Sequence, residues 1–277
     1  MLSKRLDSSR SNRPWVLKMQ RTQEITDIRH TVAEPRDFDV FWRGVRQQLD
    51  ATPLEAEVTP VPLRSLPAAS VHEARFTSLD GVRISCWYVV PRGAGPFPAL
   101  INFPGYQGEP RLIREWAHQG VISLSVAYRG KLRSSAGFNP GYPGFMLHGI
   151  ESKDSYSYRG VYADAMRAVD FLLTRPEVDA TRLAAHGVSG GGGLAIVTMG
   201  LCPRVRAGVA GCPFMCAIGD AIRTVRTYPY NEIVCYLRAH PERRAQVLET
   251  LAYFDAVNFA SRVERPMAVQ IGMEDEV

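Results

Sequence analysis

Residues 182–195 read Arg-Leu-Ala-Ala-His-Gly-Val-Ser-Gly-Gly-Gly-Gly-Leu-Ala, a Gly-x-Ser-x-Gly string centred on Ser189. The apolar run Arg182–His186 before it reads as a strand, and Gly191–Met199 after it reads as a helix. A serine between a strand and a helix sits on a sharp, strained turn, and neighbours without a Cβ let its Oγ project from the sheet. Few chains can satisfy that arrangement except by feeding parallel strands into helices. A glycine-rich turn with an incidental serine is the alternative, and the flanking elements favour the nucleophile.

The rest of the chain supplies the same grammar. Short apolar runs at Ala99–Phe103, Val121–Ala127, Arg206–Ala210 and Met267–Ile271 are strands. Between them, Arg111–His118, Val161–Leu173, Asn231–Arg238 and Glu242–Leu251 carry helical spacing. Val71–Leu79 and Val82–Val90 alternate as strands around Asp80-Gly81, a strong hairpin signal. Upstream, Pro35 opens a helix whose Phe38, Phe41, Trp42, Val45 and Leu49 fall on one face, and a proline-rich connector (Pro53, Pro60, Pro62, Pro67) follows it. The expected fold is α/β, with a mostly parallel central sheet and helices on both faces. No internal repeat is present.

Charge and composition remove several other classes. The net charge of +5 is concentrated in residues 1–30, which hold seven basic and three acidic side chains; the remainder is nearly balanced. A basic footprint for nucleic acid belongs on a folded face, so residues 1–34 are expected to be a disordered basic extension and no nucleic-acid partner is expected. No run approaches the ~20 apolar residues of a membrane span, and no signal-peptide core is present near Met1, so the expected compartment is the cytoplasm. Five cysteines (Cys86, Cys202, Cys212, Cys216, Cys235) form no Cys-x-x-Cys pair and are expected to be reduced core thiols. A metal site on Cys212 and Cys216 is the remote alternative.

A serine nucleophile needs oxyanion donors, a base and an orienting acid. The backbone N–H of Gly190 is one candidate donor, and the loop Asn102-Phe-Pro-Gly-Tyr106-Gln-Gly108 offers Tyr106 as the other. Asp275, beyond the last strand, is the candidate acid, ahead of its neighbour Glu274. All six histidines (His30, His72, His118, His148, His186, His240) precede it, whereas the base should come last in this order. His186 is expected to pack in the sheet, which leaves His148 as the histidine best placed to reach the site.

With these residues in view, the chain resembles the acetyl xylan esterase and cephalosporin-C deacetylase family of α/β-hydrolases, carbohydrate esterase family seven. The resemblance runs from about residue 35 to the last residue. It rests on Asp37-Phe-Asp-Val-Phe-Trp42, Pro104-Gly-Tyr-Gln-Gly108, Tyr128-Arg-Gly130, Gly149-Ile150, Tyr156-Ser-Tyr-Arg159, Asp164 and Arg167-Ala-Val169. It continues through Pro176-Glu-Val-Asp179, Cys212-Pro-Phe214, Pro229-Tyr-Asn-Glu232, Leu251-Ala-Tyr-Phe-Asp255 and Gly272-Met-Glu-Asp275. It implies Ser189 as nucleophile, Asp275 as charge-relay acid, Tyr106 and Gly190 as oxyanion donors and Phe214 near a small acyl pocket. It also implies no metal or organic cofactor, a small acetylated substrate, and a homo-oligomer, often a hexamer.

The departures are specific. The family usually has Gln at Gly190, a change expected to be tolerated because the backbone N–H does the work. It usually has His at Pro104 and Gln at Lys131, where loop anchoring should differ. It also continues past the acid through a Cys-Pro-Pro segment, a further strand and a His-Glu pair that supplies the base. The expectation is therefore an esterase domain over 35–277, incomplete at the C-terminus, lacking the last strand and helix and impaired for want of its triad histidine. A non-catalytic remnant or binding protein, or another serine hydrolase such as a dienelactone hydrolase or oligopeptidase, is the alternative.

Overall fold

The structure is a computed structural model that describes residues 30–272. Its strands are β1 (Glu57–Pro60), β2 (Ala69–Thr77), β3 (Arg83–Pro91), β4 (Phe97–Phe103), β5 (Ile122–Ala127), β6 (Val178–Val188), β7 (Val205–Gly211) and β8 (Met267–Gln270). Its helices are α1 (Phe38–Ala51), α2 (Ser157–Leu173), α3 (Gly190–Leu201), α4 (Ile218–Thr224), α5 (Tyr230–Ala239), α6 (Arg244–Ala252) and α7 (Ala256–Ala260). The strands form one sheet in the order β1-β2-β3-β5-β4-β6-β7-β8. β1, β2 and β3 are antiparallel, β3 meets β5 antiparallel, and β5, β4, β6, β7 and β8 run parallel.

The hairpin forms where Asp80-Gly81 placed it. Asp80 and Gly81 take φ of 61° and 74°, the left-handed pair that matches the twist of the flanking strands. On α1 the spacing of Phe38, Trp42, Val45 and Leu49 buries all four side chains. Trp42 packs among Tyr162, Phe254 and Phe259, and its Nε1–H donates to the Tyr253 carbonyl at 3.1 Å. Each such buried aliphatic or aromatic side chain contributes about 2 kcal/mol from area alone. The main core lies on the sheet face lined by Ile84, Tyr88, Ile101, Leu124 and Leu183. A smaller cluster of Val71, Val89 and Ala117 lies on the other face, under the short 3-10 helix Glu115–Gln119.

Three local expectations change. The stretch 111–118 is not an α-helix but a loop ending in that 3-10 helix. Ala117 is its one fully buried side chain, so no apolar stripe holds a longer helix, and the Ser123 hydroxyl takes the Ile113 carbonyl instead. The proline-rich connector contains β1, because an edge strand tolerates Pro60 where a central strand would not. The extension expected over 1–34 falls mostly on residues outside the described ones, but 31–34 belong to the domain. Thr31 donates its N–H to Asp220 at 2.7 Å, and Glu34 pairs with Arg262.

The Leu251-Ala-Tyr-Phe-Asp255 motif has a structural reason. The buried Asp255 carboxylate accepts from the N–H groups of Ala217 and Ile218 at 2.9 and 2.6 Å and from Val257 at 3.1 Å. One side chain thus satisfies the amino ends of both α4 and α7. At the far edge of the sheet, Val269 of β8 is 56% exposed and Ile271 just beyond it 63% exposed. Among the described residues no helix is long and apolar enough to cross a membrane.

Candidate active site

β4 is flanked by β5 on one side and β6 on the other. The chain leaves the carboxyl ends of β4 and β6 in opposite directions, which opens a crevice at that point of the sheet. Two segments meet there, the loop after β4 and the turn from β6 into α3.

Ser189 occupies that turn with φ 57° and ψ −122°, a conformation that costs a non-glycine residue free energy and persists only where its surroundings impose it. They do so through hydrogen bonds on both sides. The Ser189 N–H donates to the Gly211 carbonyl at 2.8 Å, and its own carbonyl accepts from Gly193 and Phe214 at 3.1 and 3.0 Å. A Cβ at Gly191 would stand 2.2 Å from the Phe103 carbonyl oxygen, so only glycine lets α3 start this close to β4.

The backbone N–H of Gly190 opens α3, and the N–H of Tyr106 lies beside it. A Cβ on Gly190 would approach the Tyr106 nitrogen to 2.9 Å. Among the described residues neither N–H has a protein acceptor. Two such donors at a helix amino terminus are suited to hold a developing negative charge. Gly190 stands where the family usually has Gln, and its N–H remains in place beside that of Tyr106. In this chain the Gly105–Tyr106 backbone occupies the space a side chain would need.

Ser189 lines a cavity of about 540 Å³ whose walls include Cys212, Phe214, Cys216, Tyr228 and Ile271. Phe214 is buried and lines the same cavity as Ser189. The two thiols are half-buried, Cys235 is exposed, and only Cys86 and Cys202 are core residues; all five are unpaired. Burial pushes the Cys216 thiol up to about 12, so it stays protonated and does not compete with Ser189 as a nucleophile. Among the described residues no group of three or more His, Cys, Asp or Glu side chains is arranged to hold a metal ion.

Asp275 and Glu274 lie outside the described residues. The histidines are placed elsewhere. His186 holds Nδ1 2.6 Å from Asn102 Oδ1, within the sheet as expected. His148 packs edge-on against Phe138, His72 lies against Tyr88, and His240 lies against Tyr236. Among the described residues no histidine from 72 to 240 hydrogen-bonds Ser189 Oγ.

Two further side chains, Glu232 and Lys131, hold the loop after β4. The Tyr106 phenol donates to Glu232 Oε1 at 2.8 Å and accepts from the Met146 N–H at 3.1 Å. Burial, and then the Glu232 carboxylate, push that phenol far above its ordinary range. Lys131, fully buried, donates from Nζ to the Gly105 carbonyl at 2.9 Å and also to the Tyr106 carbonyl. Glu232 sits in the matching segment Pro229-Tyr-Asn-Glu232, and Lys131 is the departure after Tyr128-Arg-Gly130 at which loop anchoring was expected to differ.

A family model described as acetyl xylan esterase (AXE1) matches residues 17–277. Acetyl esterase Axe7A of Xylanibacter ruminicola is 27% identical over 259 residues, 88% of this chain. The chain spans 57% of the length of that relative. An acetyl xylan esterase from Paenibacillus sp. R4 is similar in structure with a TM-score of 0.82 at 34% identity, covering 88% of this chain and 82% of the other. Acetyl xylan esterase 1 from Thermoanaerobacterium sp. JW/SL YS485 gives 0.84 at 26% identity, with 90% and 82% covered. Acylaminoacyl peptidase of Pyrococcus horikoshii, 16% identical with a TM-score of 0.54 over 77% of this chain and 33% of its own, shares the fold alone.

Proposed function

The chain belongs to the acetyl xylan esterase family, an α/β-hydrolase family of carboxylic ester hydrolases, and from that membership we propose that it cleaves acetyl esters through an acetyl–Ser189 intermediate. The observation that carries the reading is the strained Ser189 at the wall of a cavity of about 540 Å³, beside two N–H groups that have no acceptor among the described residues. Ser189 Oγ attacks the acetyl carbonyl, and the N–H groups of Tyr106 and Gly190 hold the oxyanion. The C–O bond to the alcohol breaks, the alcohol departs with a proton, and water then releases acetate. Phe214 bounds the acyl side and favours a short acyl group.

In this reading the acceptors are small acetylated carbohydrates, with cephalosporin-type acetyl esters as a second substrate, and the working form is a cytoplasmic homo-oligomer. Asp275 is the orienting acid. Among the described residues His186 is held by Asn102, His148 packs against Phe138, and no histidine lines the cavity beside Ser189. In this reading imidazole added to the buffer serves as a proton acceptor for Ser189 and raises the rate.

Among the described residues no histidine contacts Ser189, which favours a second reading, a protein that binds acetylated sugars without cleaving them. One experiment separates the two. The 277-residue chain and Ser189→Ala are assayed on p-nitrophenyl acetate and butyrate with and without imidazole, and acetate release from acetylated xylo-oligosaccharides is followed alongside. Esterase action gives Ser189-dependent acetate release that rises with imidazole and favours acetyl over butyryl by about tenfold or more. Binding of the oligosaccharide with no Ser189-dependent release establishes the second reading instead.

A further inference from the structure

Lys131 is an ionisable side chain with no water contact in the support of the oxyanion loop. Its Nζ donates to the carbonyls of two consecutive residues, Gly105 at 2.9 Å and Tyr106. The rings of Tyr128 and Tyr142 lie 4.6 and 4.9 Å from the same nitrogen, where aromatic faces attract a cation. The Tyr128 hydroxyl adds a 3.3 Å bond to the Gly105 carbonyl. That carbonyl belongs to the peptide unit whose other end is the Tyr106 N–H. A cation on the oxygen of an amide draws electron density from its nitrogen, so the N–H becomes a stronger donor.

We propose that Lys131 is a positioning residue for the oxyanion hole, whose ammonium clamps the Gly105–Tyr106 peptide and polarises the Tyr106 N–H toward the developing oxyanion. This rests on the reading of Tyr106 as an oxyanion donor. Loss of the Lys131 proton removes the charge and weakens the grip on both carbonyls, so the clamp is strongest in acid and fails as the lysine titrates. Burial pushes the Lys131 ammonium down to about 7, against the opposing pull of Glu109. The release therefore falls near neutral pH.

The ionisable groups around it are few. Glu109 comes from the loop after β4 and is held by the Leu132 N–H at 2.9 Å. The Tyr128 and Tyr142 phenols are pushed upward by burial and stay neutral. Arg129 is paired with Asp164, and Glu232 is engaged by the Tyr106 phenol. Lys131 is thus the group in this cluster that changes charge near neutrality.

The test is hydrogen–deuterium exchange of segment 104–110 in the wild-type chain and in Lys131→Gln at about pH 6 and about pH 9, corrected for intrinsic exchange, values that bracket the titration. Gln can donate to the same carbonyls but carries no charge. Wild-type protection should fall by about tenfold on going to the higher pH, and Lys131→Gln should show no such fall. The ratio of wild-type to Lys131→Gln kcat on p-nitrophenyl acetate should decline over the same range with KM little changed. Wild-type protection that does not depend on pH, or an equal fall in Lys131→Gln, overturns the proposal. The wild-type measurement stands even if the variant fails to fold. Absence of Ser189-dependent turnover in both chains overturns the esterase reading only, and exchange still decides the role of Lys131.

Discussion

The Tyr106 phenol and the Glu232 carboxylate, 126 residues apart in sequence, share a buried 2.8 Å hydrogen bond. The second carboxylate oxygen of Glu232 accepts the Gly144 N–H at 2.7 Å. One side chain on α5 thus ties the loop after β4 to the long segment between β5 and α2. Glu232→Ala leaves a buried phenol and a backbone N–H without acceptors, at a cost of about 1–3 kcal/mol each. Urea denaturation should show a lower midpoint, and Ser189-dependent turnover should fall with KM little changed. An unchanged midpoint would contradict the role given to Glu232.

Arg129 and Asp164 form a two-pronged buried pair with Nε–Oδ2 at 3.0 Å and Nη2–Oδ1 at 2.9 Å, and the Arg129 N–H also reaches Asp164 at 2.9 Å. Asp164→Asn leaves the buried guanidinium only the exposed Asp80 carboxylate at 3.6 Å as counter-charge, which costs about 3–5 kcal/mol. Against a total stability of about 5–15 kcal/mol, the variant should unfold at markedly lower denaturant. The double variant with Arg129→Met should recover part of the loss, as a double-mutant cycle would show.

The Gly190 contact predicts a separation between stability and turnover. Gly190→Ala places a Cβ 2.9 Å from the Tyr106 nitrogen, whereas Gly219→Ala meets only a Leu248 side chain at 3.7 Å. Thermal melts and p-nitrophenyl acetate kinetics on both should show Gly190→Ala lowering turnover while the fold survives, and Gly219→Ala changing neither. Equal turnover in the two variants would mean that the loop moves aside at no cost.

Stability should depend on pH through two half-buried imidazoles. Burial holds His186 and His72 below their ordinary value. As pH falls below about 6.5 the unfolded chain takes up those protons before the folded one, and stability declines; above that value their contribution is fully present. Melting temperature should therefore fall on acidification, less steeply in His186→Gln, which keeps a donor for Asn102. An identical pH profile in the variant would remove His186 from the account.

The elbow was legible because its requirements are local. Ser189, the small residues around it and the strand and helix on either side are contiguous in sequence. The Asp80-Gly81 turn and the apolar face of α1 were legible for the same reason. β1 was hidden by Pro60, whose cost vanishes at a sheet edge, and the spacing in 111–118 promised a helix that tertiary burial did not support. Glu232 lay in a matching segment and Lys131 at a departure where loop anchoring was expected to differ, but neither partner could be read from the sequence. Their partners, Tyr106 and Gly105, lie 126 and 26 residues away and meet them only in the fold.

The central claim is that Ser189 Oγ accepts the acyl group. The most direct measurement is peptide mapping by mass spectrometry after the chain is incubated with p-nitrophenyl acetate and imidazole and quenched in acid. The expected result is one acetyl group on the peptide carrying Ser189 and none at that site in Ser189→Ala, with ester hydrolysis lost in the variant. Hydrolysis that persists in Ser189→Ala, with Ser189 unmodified in the wild-type chain, would contradict it.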